Sequence, residues 1–416
     1  MMKKLLIFPV ACTLVLAAPA QKGDGFVYAI TDQQPNGVSW NFLRKLDLQT
    51  GAYSGVLLEG NDTRVVAYDA TSRKPVATPM SDTRVGLWAN APFGTGVAAM
   101  AYDRRNDRLY YTPMFIDQLR YIDLKTMKVY YVTELAFTGK PEKTSDQGNI
   151  VTRMVIASDG NGYAMTNDAT QLIRFTTGKR TAITDLGTLV DDPANEGVSI
   201  HNSCSSYGGD MIADDKGRLI VFSARNQVYR IDLESKVATR LGAIKGLPQG
   251  FTVNGAAVTA ENRILVASAV MGGGYYMIDM NSLNATPYAM NGTSWQSSDL
   301  ANGNLYVTGE KTDNPTVELL RAKPQPMEEN SRVSIYPNPV SQNQFMIQFT
   351  SLDPGSYTIT LTDIMGRRIY QQPVILNGSL QQQVVKLDPS AARGVYLVNV
   401  LDGNNKTAYS TKIVVQ

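Results

Sequence analysis

The stretch LRKLDLQTG, residues 43–51, introduces a pattern that recurs along most of the chain. Apolar and polar residues alternate in it, as in a half-buried strand, and the strand ends in an aspartate followed by a turn. Related stretches are LRYIDLKTM at 119–127, VYRIDLESK at 228–236 and YYMIDMNSL at 275–283, with a degenerate copy, LIRFTTGKR, at 172–180 and a truncated one, VELLRAK, at 317–323. A pattern that returns in this way indicates a repeat architecture.

Most copies follow a candidate hairpin, in which two short strands flank a polar turn. The hairpins are AYDRRNDRLYYT at 101–112, ASDGNGYAMT at 157–166, ADDKGRLIVFS at 213–223 and TAENRILVAS at 259–268. Each repeat then has four antiparallel strands, which is the composition of a β-propeller blade. A two-sheet sandwich is less favoured, because sandwiches do not repeat their sequence blade by blade.

We therefore predict an all-β fold with a six-bladed propeller over residues 24–322. Residues 61–96 exceed the length of a blade and contain VVAYDATSRKPVAT, which could be half of a further blade and would make seven. The sequence does not show which strand closes the ring.

The first 20 residues have the three parts of a secretory signal. Lys3 and Lys4 supply charge, an apolar core follows, and a small-x-small site at its end predicts cleavage between Ala20 and Gln21. Cys12 raises the alternative of a lipoprotein anchor, but the apolar core continues past it. The apolar run is shorter than the roughly 20 residues that span a bilayer, and no later segment resembles a transmembrane helix.

Charge and cysteine content narrow the classes of function. The chain has 39 Lys and Arg against 37 Asp and Glu, and the signal contains two of the lysines, so the mature chain would be balanced at 37 of each. A balanced chain has no general field that attracts nucleic acid. Only Cys204 would remain after cleavage, so no intrachain disulfide can form.

The amino-acid composition of the sequence changes near Lys323. The stretch AKPQPMEENS has two prolines and no apolar run, so residues 323–331 are predicted to be an extended linker. After it, residues 332–416 contain seven short strand candidates separated by turns, which predicts a small Ig-like β-sandwich. Pro337 and Pro339, in SIYPNPV, are expected to end an edge strand because proline cannot donate to a β-ladder.

Four elements of this last region occur together: SIYPNPV at 334–340, LTDIMGRRIY at 361–370, RGVYLVNV at 393–400 and the terminal KIVVQ. In order, spacing and position they resemble the type A C-terminal sorting domain of the type IX (Por) secretion system. The resemblance implies that the motif residues serve sorting: Tyr336, Pro337, Asn338, Pro339, Gly366, Gly394 and Lys412.

The resemblance also implies where the protein goes. Its partners would be the type IX translocon and a sorting protease, and its destination the surface or surroundings of a Gram-negative bacterium. Attachment to lipopolysaccharide is a further implication, since many members of that family are attached in this way.

Catalytic chemistry has little support in the sequence. His201, the single histidine, lies three residues before Cys204, but two ligands do not make a zinc site and no second histidine can help. The aspartates that recur in each repeat, such as Asp103 and Asp159, are expected to cap turns through side-chain hydrogen bonds. We therefore expect no enzyme activity, no metal and no cofactor.

The remaining class of function is recognition of a ligand at the protein surface. The segments before the first strand of each hairpin should lie near the central channel, and they contain aromatic or polar candidates for ligand binding. These candidates are Trp88, Phe93, His201, Tyr207, Phe251 and Trp295. The favoured hypothesis is a non-catalytic surface protein that binds a glycan, peptide or protein. The alternatives are a propeller hydrolase or lyase acting on an extracellular polymer, and a structural or adhesin component.

Overall fold

A computed structural model describes most of the chain. The described residues are 23–76, 86–132, 136–139, 147–178, 180–272, 274–310, 333–336, 338, 340, 344–349, 352–363, 367–377, 381–388 and 394–415. Several predicted features lie outside them: the signal peptide with Ala20 and Gln21, the linker, the VELLRAK stretch, and Pro337, Pro339 and Gly366.

The described residues of the first domain form short strands and three 3-10 turns. In its first part the strands are β1 (Phe26–Thr31), β2 (Phe42–Asp47), β3 (Leu58–Glu59), β4 (Ala67–Asp69), β5 (Val97–Asp103), β6 (Arg108–Pro113), β7 (Arg120–Asp123), β8 (Lys128–Tyr131), β9 (Val151–Ile156), β10 (Gly162–Thr166), β11 (Leu172–Phe175) and β12 (Ile183–Gly187). In its second part they are β13 (Val190–Asp191), β14 (Asp210–Ala213), β15 (Leu219–Phe222), β16 (Gln227–Ile231), β17 (Val237–Ala243), β18 (Gly255–Val258), β19 (Ile264–Ala267), β20 (Tyr275–Asp279), β21 (Asn284–Tyr288) and β22 (Asp299–Ala301). The 3-10 turns are Gly86–Ala89, Gln147–Asn149 and Pro193–Asn195.

These strands form five sheets arranged as the blades of a propeller. Blade 1 has the order β22-β1-β2-β3, blade 2 β5-β6-β7-β8-β4, blade 3 β9-β10-β11-β12, blade 4 β14-β15-β16-β17-β13 and blade 5 β18-β19-β20-β21. The first strand of each blade contacts the first strands of its two neighbours, so β22, β5, β9, β14 and β18 form a closed ring around a central channel. The all-β propeller predicted from the repeat is confirmed.

The number of blades differs from the prediction. The described residues form five blades rather than six, because the sixth marker, VELLRAK, lies outside them and the residues before it supply β22 to blade 1. The described part of the excess residues, 61–76 and 86–96, adds no seventh blade. Its strand β4 instead pairs in parallel with β8 and widens blade 2.

Pairing of the last propeller strand with the first closes the ring. Strand β22 runs antiparallel to β1, with Ile30 opposite Asp299 and Tyr28 opposite Ala301. Gly255, at the start of β18, permits the close approach of β22 on its other side, because an added Cβ would lie 2.8 Å from the Leu300 backbone nitrogen. Closure therefore joins residues that are more than 250 positions apart in the sequence.

The recurrent aspartates cap turns, as predicted. Asp47 Oδ1 accepts hydrogen bonds from the backbone amides of Gln49 and Thr50 and from the Thr50 hydroxyl, all within 2.9 Å. Asp123, Asp232 and Asp279 accept the equivalent amide bonds. In the hairpins, Asp103, Asp159 and Asp214 likewise accept amides two residues ahead. These carboxylates therefore stabilise the turns of the repeat.

The described residues of the last domain form a sandwich of seven strands. They are β23 (Val333–Tyr336), β24 (Gln344–Phe349), β25 (Gly355–Asp363), β26 (Arg368–Leu376), β27 (Gln381–Lys386), β28 (Gly394–Leu401) and β29 (Thr407–Val415). One sheet has the order β23-β24-β27 and the other β26-β25-β28-β29, with a core of aliphatic and aromatic side chains that includes Ile359, Leu361 and Val398. The predicted sandwich is confirmed.

Candidate ligand-binding face

The five inner strands begin at the same end of the propeller, which we call the upper face. The loops that precede them lie there, and so do the loops between the second and third strands of each blade, because neighbouring strands are antiparallel. The upper face is therefore formed by two sets of loops.

The six predicted binding residues fall into different environments. Trp88 is 52% exposed in the loop before β5. Trp295 is half-buried in the loop before β22, where the Arg44 guanidinium carbon lies 3.8 Å from the centre of its ring. Tyr207 is also half-buried. Phe93 and Phe251 are buried and pack edge-on against tyrosines of their blades, so their side chains form core and not ligand surface.

His201 connects two loops. Its Nδ1 lies 2.6 Å from the carbonyl oxygen of Asp168, and its Nε2 lies 3.1 Å from that of Leu189. Both ring nitrogens thus face backbone carbonyl oxygens, so the imidazole connects the loops of Asp168 and Leu189. Cys204 is exposed and reduced. Among the described residues, no group of three or more His, Cys, Asp or Glu side chains is arranged to hold a metal ion.

Three exposed apolar residues of the upper face were missed from the sequence. Val38 is 63% exposed, Phe115 50% and Val270 57%. They lie in loops between second and third strands or between β1 and β2, whereas the sequence analysis considered only the loops before the inner strands. Phe115 also has a φ of +64°. A bulky residue rarely adopts this left-handed conformation, which costs free energy and clusters at functional sites.

Hydrogen bonds connect these loops into one surface. Ser297 N donates to Ser268 O at 2.9 Å and Gln296 N to Pro35 O at 2.8 Å, which joins the loop of Val270 through that of Trp295 to that of Val38. Val97 N donates to Trp40 O at 3.2 Å and Met114 N to Gly96 O at 2.8 Å, which adds the loops of Trp88 and Phe115. We call the surface of Val38, Trp88, Phe115, Val270 and Trp295 the apolar arc. It extends over blades 5, 1 and 2.

Two carboxylates lie at the top of the channel. Asp210 begins β14 and Asp299 begins β22, and both are fully buried. Asp210 Oδ1 accepts the Met211 amide at 2.7 Å, and its Oδ2 accepts the Ala256 amide of the neighbouring inner strand at 2.6 Å. The inner edges of these strands present unpaired amides to the channel, and Asp210 satisfies two of them.

Asp299 is less well satisfied. No donor meets hydrogen-bond geometry at either of its carboxylate oxygens within the described chain. Burial therefore raises the pKa of Asp299 well above its usual value, and the nearby Asp210 raises it further, while the Met100 amide offsets part of the rise. Burial also raises the pKa of Asp210, against the opposing effect of its backbone amides and of Arg153.

Arg153, on β9, is the buried cation near this pair. Its guanidinium donates to backbone carbonyls, including that of Gly208 at 2.7 Å. Burial lowers its pKa to about 10. Below the carboxylates, apolar side chains such as Met100, Met154 and Ile212 line the channel. A pair so enclosed can bind a proton but cannot reach a polymer at the upper face.

Four of the sorting motif residues, Tyr336, Asn338, Gly394 and Lys412, lie within the described part of the sandwich. Strand β23 is an edge strand and ends at Tyr336, directly before Pro337, as predicted. Asn338 connects the motif to β29, because its Nδ2 donates to Lys412 O at 3.1 Å and its Oδ1 accepts Val414 N at 2.9 Å. Gly394 begins β28, and Lys412 is exposed on β29.

Residues 334–416 match the family of secretion system C-terminal sorting domains. The last domain is a type IX sorting domain. The sorting domain directs export by the type IX system to the cell surface or the extracellular space, and it implies contact with that machinery. None of the described helices has the length and apolar character needed to cross a membrane.

No curated protein has a sequence that matches this chain. Among solved structures, PorZ of Porphyromonas gingivalis is 15% identical with a TM-score of 0.31; the match covers 94% of this chain and 51%, about half, of PorZ. A nidogen/laminin complex is 10% identical with a TM-score of 0.36, covering 66% of this chain and 97% of the other. Virginiamycin B lyase from Staphylococcus aureus is 11% identical with a TM-score of 0.33, covering 69% and 77%.

Proposed function

We propose that the protein is a non-catalytic binding protein of the bacterial surface, which recognises a glycan, a peptide or a partner protein through the upper face of its propeller. The sorting domain supports the location, because it directs export to the surface or beyond.

The observation that carries the proposal is the apolar arc. Trp88 and Phe115 are each about half exposed on neighbouring loops, with Val38 and Val270 on the loops beyond them. Exposed apolar groups that occur singly need no explanation, but several on hydrogen-bonded loops of one face suggest an interaction site. Flat aromatic faces suit the apolar faces of sugars and of peptide side chains.

The position of the carboxylates favours binding over hydrolysis. A glycoside hydrolase needs two carboxyl groups that flank the scissile bond. Asp210 and Asp299 are buried, and Asp210 already accepts two backbone amides. The hydrolase or lyase alternative therefore requires other residues, whereas the structural or adhesin alternative differs from ours only in lacking a small ligand.

Thermal unfolding of the chain from Gln21 onward, measured by calorimetry with a panel of glycans, peptides and Ca²⁺, tests the proposal. A ligand at about 100 times its dissociation constant stabilises the folded state by about 2.7 kcal/mol. We expect stabilisation by one class of glycan or peptide, and its loss in Trp88→Ala and Phe115→Ala. The control is Val190→Ala, which removes an equally exposed side chain from the outer edge of blade 4.

Two outcomes would contradict the proposal. Stabilisation that survives both aromatic substitutions would place the ligand elsewhere. The absence of stabilisation by any compound would favour the structural or adhesin role.

Proteolytic cleavage at both ends and attachment to lipopolysaccharide form a finer part of the proposal. Cleavage after Ala20, removal of the sorting domain by a surface protease and attachment to lipopolysaccharide would give a surface form that begins at Gln21. Mass spectrometry of the surface-extracted protein should then find that N-terminus, no peptides from the sorting domain, and a C-terminal modification. An intact C-terminus at Gln416 would contradict it.

A further inference from the structure

Blade 2 contains an aromatic and cationic cluster that the apolar arc does not use. Tyr121 on β7 stacks on Tyr130 on β8, with ring centres 4.9 Å apart and an interplanar angle of 15°. The Arg108 guanidinium carbon lies 4.7 Å from the centre of the Tyr121 ring, and that of Arg73 lies 4.6 Å from the centre of the Tyr130 ring. Arg73 Nη1 also donates to the Tyr121 hydroxyl at 2.7 Å. Two guanidinium groups therefore share one tyrosine stack.

The cluster borders a cleft between blades 2 and 3. Thr71, Arg108 and Tyr121 line it from blade 2, and Gly178 and Thr181 line it from the β11–β12 turn of blade 3. Arg108 begins β6, at the end of the propeller opposite to the upper face. The cleft thus presents a guanidinium and hydroxyl groups, and it is distant from the apolar arc.

Within the described part of the chain, neither arginine forms an ion pair that would neutralise it. Arg108 Nη1 donates to the carbonyls of Thr177 and Gly178 at 3.2 Å, and its buried Nε has no hydrogen-bond partner. The carboxylates nearby are already engaged, since Asp103 accepts the Arg105 amide and the Asn106 side chain, and Asp123 caps its turn. Two guanidinium groups without a carboxylate partner among the described residues favour an anion in the cleft.

We propose that this cleft binds an oxyanion, either a free phosphate or sulfate or the carboxylate of an acidic sugar, held by Arg108 and the hydroxyls of Thr71 and Thr181. Arg73, which is hydrogen-bonded to the cleft-lining Tyr121, would add the second positive charge. Arginine suits this role because its planar fork presents two parallel donors to two oxygens of a carboxylate or phosphate. The site is independent of the proposed function of the upper face.

Calorimetric titration of the chain from Gln21 onward with sodium phosphate, sodium sulfate and sodium glucuronate, at ionic strength held constant with sodium chloride, tests the site. We expect saturable binding of at least one anion. Binding of phosphate or sulfate alone would identify a site for free tetrahedral anions, and binding of glucuronate would identify the carboxylate of an acidic sugar.

Arg73→Gln is the decisive variant, because Arg73 is exposed and its loss should leave the fold intact. Loss of a charged hydrogen bond should weaken binding about tenfold or more, and Arg108→Gln should weaken it further. Arg64→Gln is the control, since Arg64 is an exposed arginine that pairs with Asp62. The absence of saturable binding by all three anions, or binding that Arg73→Gln leaves unchanged, would overturn the proposal.

Discussion

Replacement of Asp299 by asparagine tests the physical state of the buried carboxylates at the top of the channel. Burial and the neighbouring Asp210 raise the pKa of Asp299 in the folded protein. The folded state then keeps a proton that the unfolded state has released, so the free energy of unfolding falls as pH rises above the unfolded pKa of about 4 and continues to fall up to the folded pKa. Protonation of Asp299 therefore stabilises the folded state fully only at acidic pH, below the unfolded pKa.

The size of this change in the free energy of unfolding follows from the linkage between proton binding and folding. One proton gives a slope of at most about 1.4 kcal/mol per pH unit, so stability would fall by up to about 2.7 kcal/mol between pH 5 and pH 7. Asparagine has nearly the same shape and cannot titrate. Asp299→Asn should therefore lose this slope and keep only the part that the burial of Asp210 contributes.

Urea unfolding at pH 5, 6 and 7, followed by tryptophan fluorescence, measures the slope. The three tryptophans, Trp40, Trp88 and Trp295, all lie in the propeller, so the signal reports on that domain. Asp103→Asn is the matched control, because Asp103 is equally buried but its carboxylate accepts three hydrogen bonds. An Asp299→Asn protein whose stability keeps the wild-type dependence on pH would refute the reasoning.

Three further substitutions test how the fold is held. Gly255→Ala would place a Cβ 2.8 Å from the backbone nitrogen of Leu300 and should lower the urea midpoint by the equivalent of about 1–3 kcal/mol, whereas Gly25→Ala, with no atom within 4 Å, should not. Asp232→Ala removes a turn cap and should lower the free energy of unfolding by about 0.5–1 kcal/mol at pH 7. Hydrogen bonds from Ser235 lower the pKa of Asp232, so this difference between wild type and variant should vanish as pH falls through the lowered pKa. Asn338→Ala removes both hydrogen bonds to β29 and should lower the free energy of unfolding of the sorting domain by about 1 kcal/mol. In calorimetry the melting temperature of the sorting domain should fall, while that of the propeller stays unchanged.

The repeat was visible in the sequence because the aspartate turn has a local cause. An aspartate that accepts the amides two and three residues ahead needs only its own turn, so the copies that end at Asp47, Asp123, Asp232 and Asp279 preserve the pattern. Ring closure has no such local cause. Strand β22 has three residues and no marker, and its pairing with β1 depends on the geometry of the whole ring. For this reason the blade number could not be predicted.

The candidate site was predictable only in part. Loops before the inner strands could be placed near the channel, which correctly put Trp88 and Trp295 on the upper face. Whether an aromatic residue fills a gap or faces solvent depends on its neighbours in space, so Phe93 was not distinguishable from Trp88. Phe115 follows a second strand, and only the antiparallel topology shows that its loop belongs to the same face.

The most direct test of the central claim, that the apolar arc binds a surface ligand, is hydroxyl-radical footprinting of the chain from Gln21 onward. Oxidation is read by mass spectrometry, with and without an extract of surface polysaccharide and surface proteins from the producing bacterium. Our account predicts that oxidation of Trp88 and Phe115 falls in the presence of the extract, while oxidation of the exposed Cys204, on the polar side of the same face, stays unchanged. Protection of Cys204 with Trp88 and Phe115 still fully oxidised would contradict it.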